Sequence, residues 1–85
     1  MKTIAQTLRQ ARKAKGYRLV DVAEFTDATY SAVARYETGT RRPDADYLRH
    51  VAPVLGLDPK TLLAQAGEEY GTADSKQTKE KYAKE

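Results

Sequence analysis

The sequence predicts an all-α fold in which five short helices form one compact domain and a charged tail follows. Apolar residues recur at helical spacing in five segments, and no long stretch alternates apolar and polar residues as a strand would. Residues that cap or end helices, chiefly threonine, aspartate and glycine, separate these segments. A chain of 85 residues is long enough for one small domain with a modest core.

The first helix is expected from about Ile4 to Lys15. Thr3 and Gln6 have the spacing of a capping box, in which each side chain accepts a hydrogen bond from the other residue's backbone N–H. Gly16 closes this helix, since glycine readily adopts the left-handed conformation that follows many helices. The apolar positions on its inner face are Ile4, Leu8 and Ala11.

A second, short helix is expected from Leu19 to Thr26. Arg18 is a poor capping residue, but Asp21 in the first turn interacts favourably with the helix dipole. Asp27 and Ala28 then form a tight turn. The candidates for the apolar face of this helix are Leu19, Val22, Ala23 and Phe25.

The third helix follows Thr29, which is a good N-cap, and ends at Gly39. A fourth helix is capped by Asp44 and extends toward Leu55. Pro53 lies within it, removes a backbone donor and disfavours helical geometry at the preceding residue, so we expect a kink or an early end near Ala52.

The fifth helix is bounded by Asp58 as its cap, Pro59 at its first position and Gly67 as its stop. Beyond it the chain contains no aliphatic residue larger than alanine, too little apolar surface to offset the entropy lost on ordering. We therefore divide the chain into a domain at residues 1–67 and a flexible charged tail at residues 68–85, disordered or weakly helical.

The basic charge is concentrated in the first half of the chain. Residues 1–43 contain nine Lys or Arg and four Asp or Glu, a net charge of +5, whereas residues 44–85 contain six and eight, a net charge of −2. This asymmetry favours a basic surface that binds a polyanion, and the alternative is an ordinary random distribution of surface charges. The absence of cysteine fits a reducing cytoplasm, and no apolar run approaches the ~18 residues of a membrane span.

No arrangement of residues indicates an enzyme, a metal site or a cofactor site. His50 is the only histidine, and Asp46, Tyr47 and Val54 around it do not form a ligand set. There is no phosphate-cradling glycine loop and no pair of nucleophile and base. The six tyrosines could suggest stacking on RNA bases, but they are dispersed over all the elements.

The second and third helices have the spacing of a helix-turn-helix. Ala23 is small enough for two helices to cross closely, and Asp27 follows four residues later at the turn. Val33 and Tyr36 come ten and thirteen residues after Ala23, as two core anchors on the second helix of the motif.

With Val33 and Tyr36 directed inward, the opposite face of the third helix carries Ser31, Ala34, Arg35 and Thr38. A helix that enters the major groove, about 12 Å wide, needs small side chains where its backbone approaches the bases. Arg35 adds the donor fork that suits guanine O6 and N7. The alternative is a solvated helix face on which Arg35 pairs with an acidic residue.

With its surroundings, the stretch from Leu19 to Gly39 resembles the phage repressor/Cro-type helix-turn-helix regulators, of the xenobiotic-response-element class. The resemblance is carried by "LRQARKAKG", "VAEF", "TYSAVARYETG" and "RRPDADYLRHVAPVLGLDPKTLL", and it covers about Thr3 to Gly67. It implies a five-helix, lambda-repressor-like domain that binds operator DNA as a dimer and regulates transcription. The base-reading positions that we expect are Tyr30, Ser31, Ala34 and Arg35.

Phosphate contacts are expected from the ends of the helices and from the basic loop after the third helix. The candidates are Arg18, Thr29, Thr38, Arg41 and Arg42. The resemblance also implies that Arg12 and Glu37 form a structural pair between the first and third helices. The chain departs from the family pattern with Leu19 in place of a backbone-contacting glutamine, with Asp27 in place of the turn glycine and, more mildly, with Pro53.

These observations predict a cytoplasmic homodimer on a palindromic site in double-stranded DNA. It would repress transcription by occupying the operator, with a dimer surface between Leu55 and Gly67 as the resemblance implies. The alternative is an antitoxin or protein-binding adaptor on a helix-turn-helix scaffold, with the tail as a contact for the protein partner.

Overall fold

The computed structural model of the chain describes residues 2–71, and within them five α-helices and no strand are present. The helices are α1 (Ile4–Lys15), α2 (Leu19–Thr26), α3 (Tyr30–Thr38), α4 (Ala45–Leu55) and α5 (Pro59–Tyr70). The predicted all-α class and the order of the five helices are confirmed. None of these helices is long and apolar enough to cross a membrane.

The predicted caps determine where four helices begin, α3 among them. Thr3 and Gln6 form the capping box of α1, with N–O distances of 3.0 and 3.1 Å. Asp44 accepts a hydrogen bond from the N–H of Tyr47 at 2.8 Å, and Asp58 accepts one from the N–H of Thr61 at 3.1 Å. Each side chain satisfies a backbone donor that the first turn of a helix cannot pair.

Helix α2 begins without a capping side chain at Arg18. Instead, the carboxylate of Asp21 accepts a hydrogen bond from the Arg18 N–H at 2.8 Å. Asp21 therefore supplies half of a capping box from inside the helix, which compensates for the poor capping residue before it.

The core lies where α1 and α4 meet the other three helices. It contains buried side chains from all five elements, and the largest fully buried ones are Ile4, Leu8, Val22, Val33, Leu48 and Val51. Helix α1 packs against α3, α4 and α5, and α2 packs against α3 and α4. The two helices of the predicted helix-turn-helix are thus supported from behind by α1 and α4.

Three expectations about individual residues are wrong. Helix α4 does not end near Ala52 but continues through Pro53 to Leu55, because Ala52 and Leu55 are buried in the core and their packing maintains the helix, while the kink expected as the alternative stays a prediction. Gly67 does not end α5, which continues to Tyr70. Phe25 is 55% exposed and lies edge-on to Tyr17, with 5.3 Å between the ring centroids, so it belongs to the surface and not to the core.

Candidate nucleic-acid interface

The turn between α2 and α3 has the geometry that a helix-turn-helix requires. Asp27 adopts a left-handed conformation with φ of 60°. Its neighbour Ala28 donates its N–H to the carbonyl of Ala23 at 3.1 Å, which closes the end of α2. Ala23 is buried, and its small side chain lets the two helices pack closely.

Helix α3 is divided into a buried face and an exposed face. Ala32, Val33 and Tyr36 are at most 8% exposed, so they fix the helix to the core. The outward positions include four of the predicted contacts: Tyr30, Ser31, Arg35 and Thr38. Ala34 is partly buried between the two faces. The structure therefore brings the predicted base-reading residues together on one side of a short, firmly packed helix.

The side chain of Arg35 is exposed, and no acidic side chain pairs with it among residues 2–71. Its backbone carbonyl, by contrast, accepts hydrogen bonds from the N–H groups of Gly39 and Thr40 at 3.0 and 3.1 Å. The backbone is thus fixed while the guanidinium presents its five donors to solvent. The alternative, in which a neighbouring acidic side chain neutralises Arg35, is not observed among residues 2–71.

Thr29 caps the start of α3. Its hydroxyl accepts a hydrogen bond from the N–H of Ala32 at 3.1 Å. The hydroxyl hydrogen remains a donor, and the first turn of the helix carries a partial positive charge. An anion at this end of α3 would meet both.

The loop after α3 carries Arg41 and Arg42, which are both exposed. The guanidinium carbon of Arg41 lies 5.6 Å from the ring centroid of Tyr36, and that of Arg42 lies 4.9 Å from the ring centroid of Tyr70. We call residues 40–43 the basic loop. The sequence does not predict the contact of Tyr70 with Arg42, because the expected domain ends at Gly67.

Arg18 lies at the start of α2 and is bound to an acid. Its side chain donates to the carboxylate of Asp21 at 2.9 and 3.2 Å, and it is 78% exposed. These hydrogen bonds and the adjacent charge lower the pKa of Asp21 and raise the pKa of Arg18. A phosphate at this position would therefore share Arg18 with Asp21.

Arg12 and Glu37 form the ion pair between α1 and α3. The Nε atom of Arg12 donates to both carboxylate oxygens of Glu37, at 2.8 and 3.1 Å. Its Nη1 atom donates to the carbonyl of Tyr17 at 2.8 Å. The ion pair holds α3 in position, and it directs the carboxylate of Glu37 toward α1, away from an anion bound at the outer face of α3.

His50 is occupied within its own helix, where Nδ1 lies 2.7 Å from the carbonyl oxygen of Asp46. Among the described residues, no three side chains of the metal-ligating types are grouped closely enough to hold an ion. The outer face of α3 and the basic loop can therefore bind a ligand through hydrogen bonds and positive charge.

The chain is similar to known regulators over this whole region. A family model described as a helix-turn-helix domain matches residues 3–66. A similar chain is found in the crystal structure of SinR, a master regulator for biofilm formation, in complex with DNA. Its sequence is 34% identical to this chain, and the match covers 72% of this chain and 98% of that one, with a TM-score of 0.66.

Two further structures have the same architecture. A chain of the complex between the SinR and SinI proteins is 28% identical, with 94% of this chain and 79% of that one covered and a TM-score of 0.67. The clp gene regulator ClgR from Corynebacterium glutamicum is 20% identical, with 93% and 84% covered and a TM-score of 0.66, a similarity of fold alone. No curated protein matches the chain.

Proposed function

Because the chain belongs to the helix-turn-helix family of transcription regulators, and not to a family of enzymes, we propose that it binds operator sites in double-stranded DNA. The observation that carries this proposal is the outer face of α3, where Arg35 is exposed and has no acidic partner among the described residues. The SinR structure, a complex with DNA, supports the same activity for this chain.

In this proposal α3 enters the major groove and reads the bases. Arg35 donates two hydrogen bonds to O6 and N7 of a guanine, the commonest specific contact between a side chain and a base. Ser31 and Ala34 are small enough for the helix backbone to approach the base edges closely. Tyr30, at 56% exposure in the first turn, contacts a base edge or a neighbouring phosphate.

Phosphates on either side of the groove are held by groups around the two ends of α3. Thr29 and the first turn of the helix bind one phosphate through a hydroxyl and backbone N–H groups. Arg41 and Arg42 of the basic loop bind others, with Thr38 beside them and Arg18 at the start of α2. These contacts fix the register of α3 without reading the sequence.

We further propose that the protein acts as a homodimer on a palindromic operator in the cytoplasm. Two copies of α3 would then enter successive major grooves about 34 Å apart. The dimer surface lies between Leu55 and Gly67, where Leu57 and Leu63 are only partly buried and leave apolar surface for a second copy. A bound dimer represses transcription by excluding polymerase from the same DNA.

A second candidate function is the binding of a protein partner, as in an antitoxin or an adaptor. It is favoured by one observation, the similarity to a chain of the SinR–SinI complex. The contact for such a partner would be the charged tail, of which residues 72–85 lie outside the described part of the chain. Deleting residues 72–85 while keeping α5 should abolish this binding and leave operator affinity intact.

The experiment that tests the first proposal is a selection from random duplex DNA with the purified chain at ~150 mM salt, near physiological ionic strength. We expect an enriched palindrome whose half-sites are about ten base pairs apart, one turn of the double helix. Weak, salt-sensitive binding without an enriched sequence would contradict it. In that case, pull-downs with and without residues 72–85 test the second candidate.

A further inference from the structure

The last turn of α5 lies against the basic loop, which the helix-turn-helix motif alone does not explain. The ring of Tyr70 is half-buried and stacks under the guanidinium of Arg42, with 4.9 Å between the guanidinium carbon and the ring centroid. We propose that Tyr70 is a positioning residue that holds Arg42 ready for a phosphate of bound DNA. This inference rests on the proposed function and adds a residue to it from outside the motif.

The contact with Tyr70 leaves the N–H donors of Arg42 available, because within residues 2–71 this guanidinium has no hydrogen bond and no ion pair. A guanidinium over an aromatic ring is attracted through its face, whereas its N–H donors lie in its plane and point outward. Tyr70 can therefore hold Arg42 while the same side chain donates two parallel hydrogen bonds to a phosphate. An arginine that is already held loses less conformational freedom when it binds, which increases affinity without adding a contact to DNA.

The end of α5 is itself fixed, so it provides a firm support for the stack. The carboxylate of Glu69 accepts a hydrogen bond from the N–H of Ile4 at 2.6 Å. The amide of Gln65 donates to the carbonyl of Lys2 at 3.1 Å and to the hydroxyl of Thr7 at 2.9 Å. These bonds attach the C-terminal half of α5 to the start of α1, and they keep Tyr70 in place beneath the basic loop.

The two arginines of the basic loop differ in what supports them. Arg41 lies over Tyr36, a core residue of α3 that cannot change without damaging the fold. Arg42 lies over Tyr70, which packs against the edge of the core and is only partly buried, so apolar replacements can keep that packing. Arg42 and Tyr70 can therefore be altered separately from the helix-turn-helix, and Arg41 provides a matched control in the same loop.

The test measures the affinity of full-length variants for a mixed-sequence duplex of about 30 base pairs, roughly three helical turns, over a series of salt concentrations. Tyr70→Leu and Tyr70→Met remove the ring but keep apolar volume, and Tyr70→Phe keeps the ring. We expect Leu and Met to weaken binding about two- to fivefold, as the cost of ordering one freed side chain on binding predicts, and Phe to have no effect. Thermal melting monitored by circular dichroism checks that each variant is folded.

The decisive comparison is between two arginine backgrounds. In Arg42→Gln, whose salt slope should fall by about one unit, Tyr70→Leu should cause no further loss, because the group that it positions is gone. In Arg41→Gln, the loss from Tyr70→Leu should persist in full.

The outcomes separate this inference from the function on which it rests. A Tyr70→Leu loss of equal size in both arginine backgrounds, or no loss at all while the wild-type chain binds, overturns the inference and leaves the proposed function standing. Failure of the wild-type chain to bind duplex DNA at low salt overturns both.

Discussion

Arg12 of α1 and Glu37 of α3 form an ion pair with a distance of 2.8 Å between Nε and Oε2, and their side chains are only 13% and 8% exposed. Since Arg12 also donates to the carbonyl of Tyr17, one guanidinium connects α1, the loop before α2 and the last turn of α3. The pair lies behind the face that we propose to read DNA. It therefore fixes the position of α3 without contacting a base.

Glu37→Ala should strongly destabilise the fold, because it leaves the guanidinium of Arg12 with little solvent and no carboxylate. We expect the free energy of unfolding to fall by about 3 kcal/mol, the lower end of the cost of removing one partner of a buried pair, because this pair is partly buried. Urea denaturation followed by circular dichroism measures it. The matched control is Arg49→Ala, which breaks the exposed pair of Arg49 with Asp46 and should cost less than about 1 kcal/mol. Similar losses in the two variants would contradict a buried structural role for Arg12 and Glu37.

Asp27→Gly should stabilise the protein. Asp27 is the one non-glycine residue with positive φ within residues 2–71, and an L side chain in that conformation is strained. Glycine relieves the strain but adds entropy to the unfolded chain, so we expect a net gain of about 0.5–1 kcal/mol in the free energy of unfolding.

The control for Asp27→Gly is the reverse change at Gly39, which has φ of +82°. A Cβ added there would lie 3.9 Å from the Cβ of Ala5, an ordinary contact, so Gly39→Ala tests the backbone conformation alone. It should cost about 1 kcal/mol. Thermal or urea denaturation measures the change in the free energy of unfolding for each substitution. If both substitutions stabilise the protein, or both destabilise it, backbone strain at positive φ does not determine these changes.

Tyr47 should make the fold sensitive to alkali. Its ring is buried and packs on Tyr36 with 4.4 Å between the ring centroids. Burial raises the pKa of Tyr47 well above its usual range, and the neighbouring Tyr36 and Glu37 raise it further. The folded protein thus retains a proton that the unfolded chain releases above about pH 10.

The contribution of Tyr47 to the free energy of unfolding should therefore be constant below about pH 10. Above that pH it should fall, by at most about 1.4 kcal/mol per pH unit. Tyr47→Phe should flatten that fall. Urea denaturation between pH 8 and pH 12, roughly two units on either side of the ordinary tyrosine pKa, compares the two proteins. Tyr30→Phe, at an exposed ring, is the control. Parallel curves for wild type and Tyr47→Phe would exclude Tyr47 as the cause.

Local signals in the sequence were sufficient for most helix boundaries and for the exposed face of α3. The caps Thr3, Asp44 and Asp58 act within three residues of themselves, so the spacing of residue types reveals them. Helix α5 has two glycines that could end it, and the chain passes Gly67 and ends the helix before Gly71. The added turn makes a hydrogen bond from the N–H of Ile4 to Glu69, 65 residues away in the chain, and no local pattern contains that contact or the one between Tyr70 and Arg42.

The failures at Pro53 and Phe25 have a related cause. A proline near the end of a helix removes one hydrogen bond, but the burial of Ala52 and Leu55 on either side of it outweighs that loss. The residue type of Phe25 predicts a core position, but the side chain is 55% exposed and its ring contact is with Tyr17, which lies between α1 and α2. Tertiary packing determined both positions.

Arg35→Ala should change the specificity of DNA binding more than its general strength. If Arg35 donates to one guanine in each half-site, its loss should cost about 1–3 kcal/mol on the selected operator and relax the preference at that one position. Binding to mixed-sequence DNA should change little, because phosphate contacts dominate there. Competition binding of operator against scrambled duplexes measures both, with Arg49→Ala on α4 as an exposed arginine outside the interface. Equal weakening on the two kinds of DNA would make Arg35 a phosphate contact, and the reading of bases would then pass to Tyr30 and Ser31.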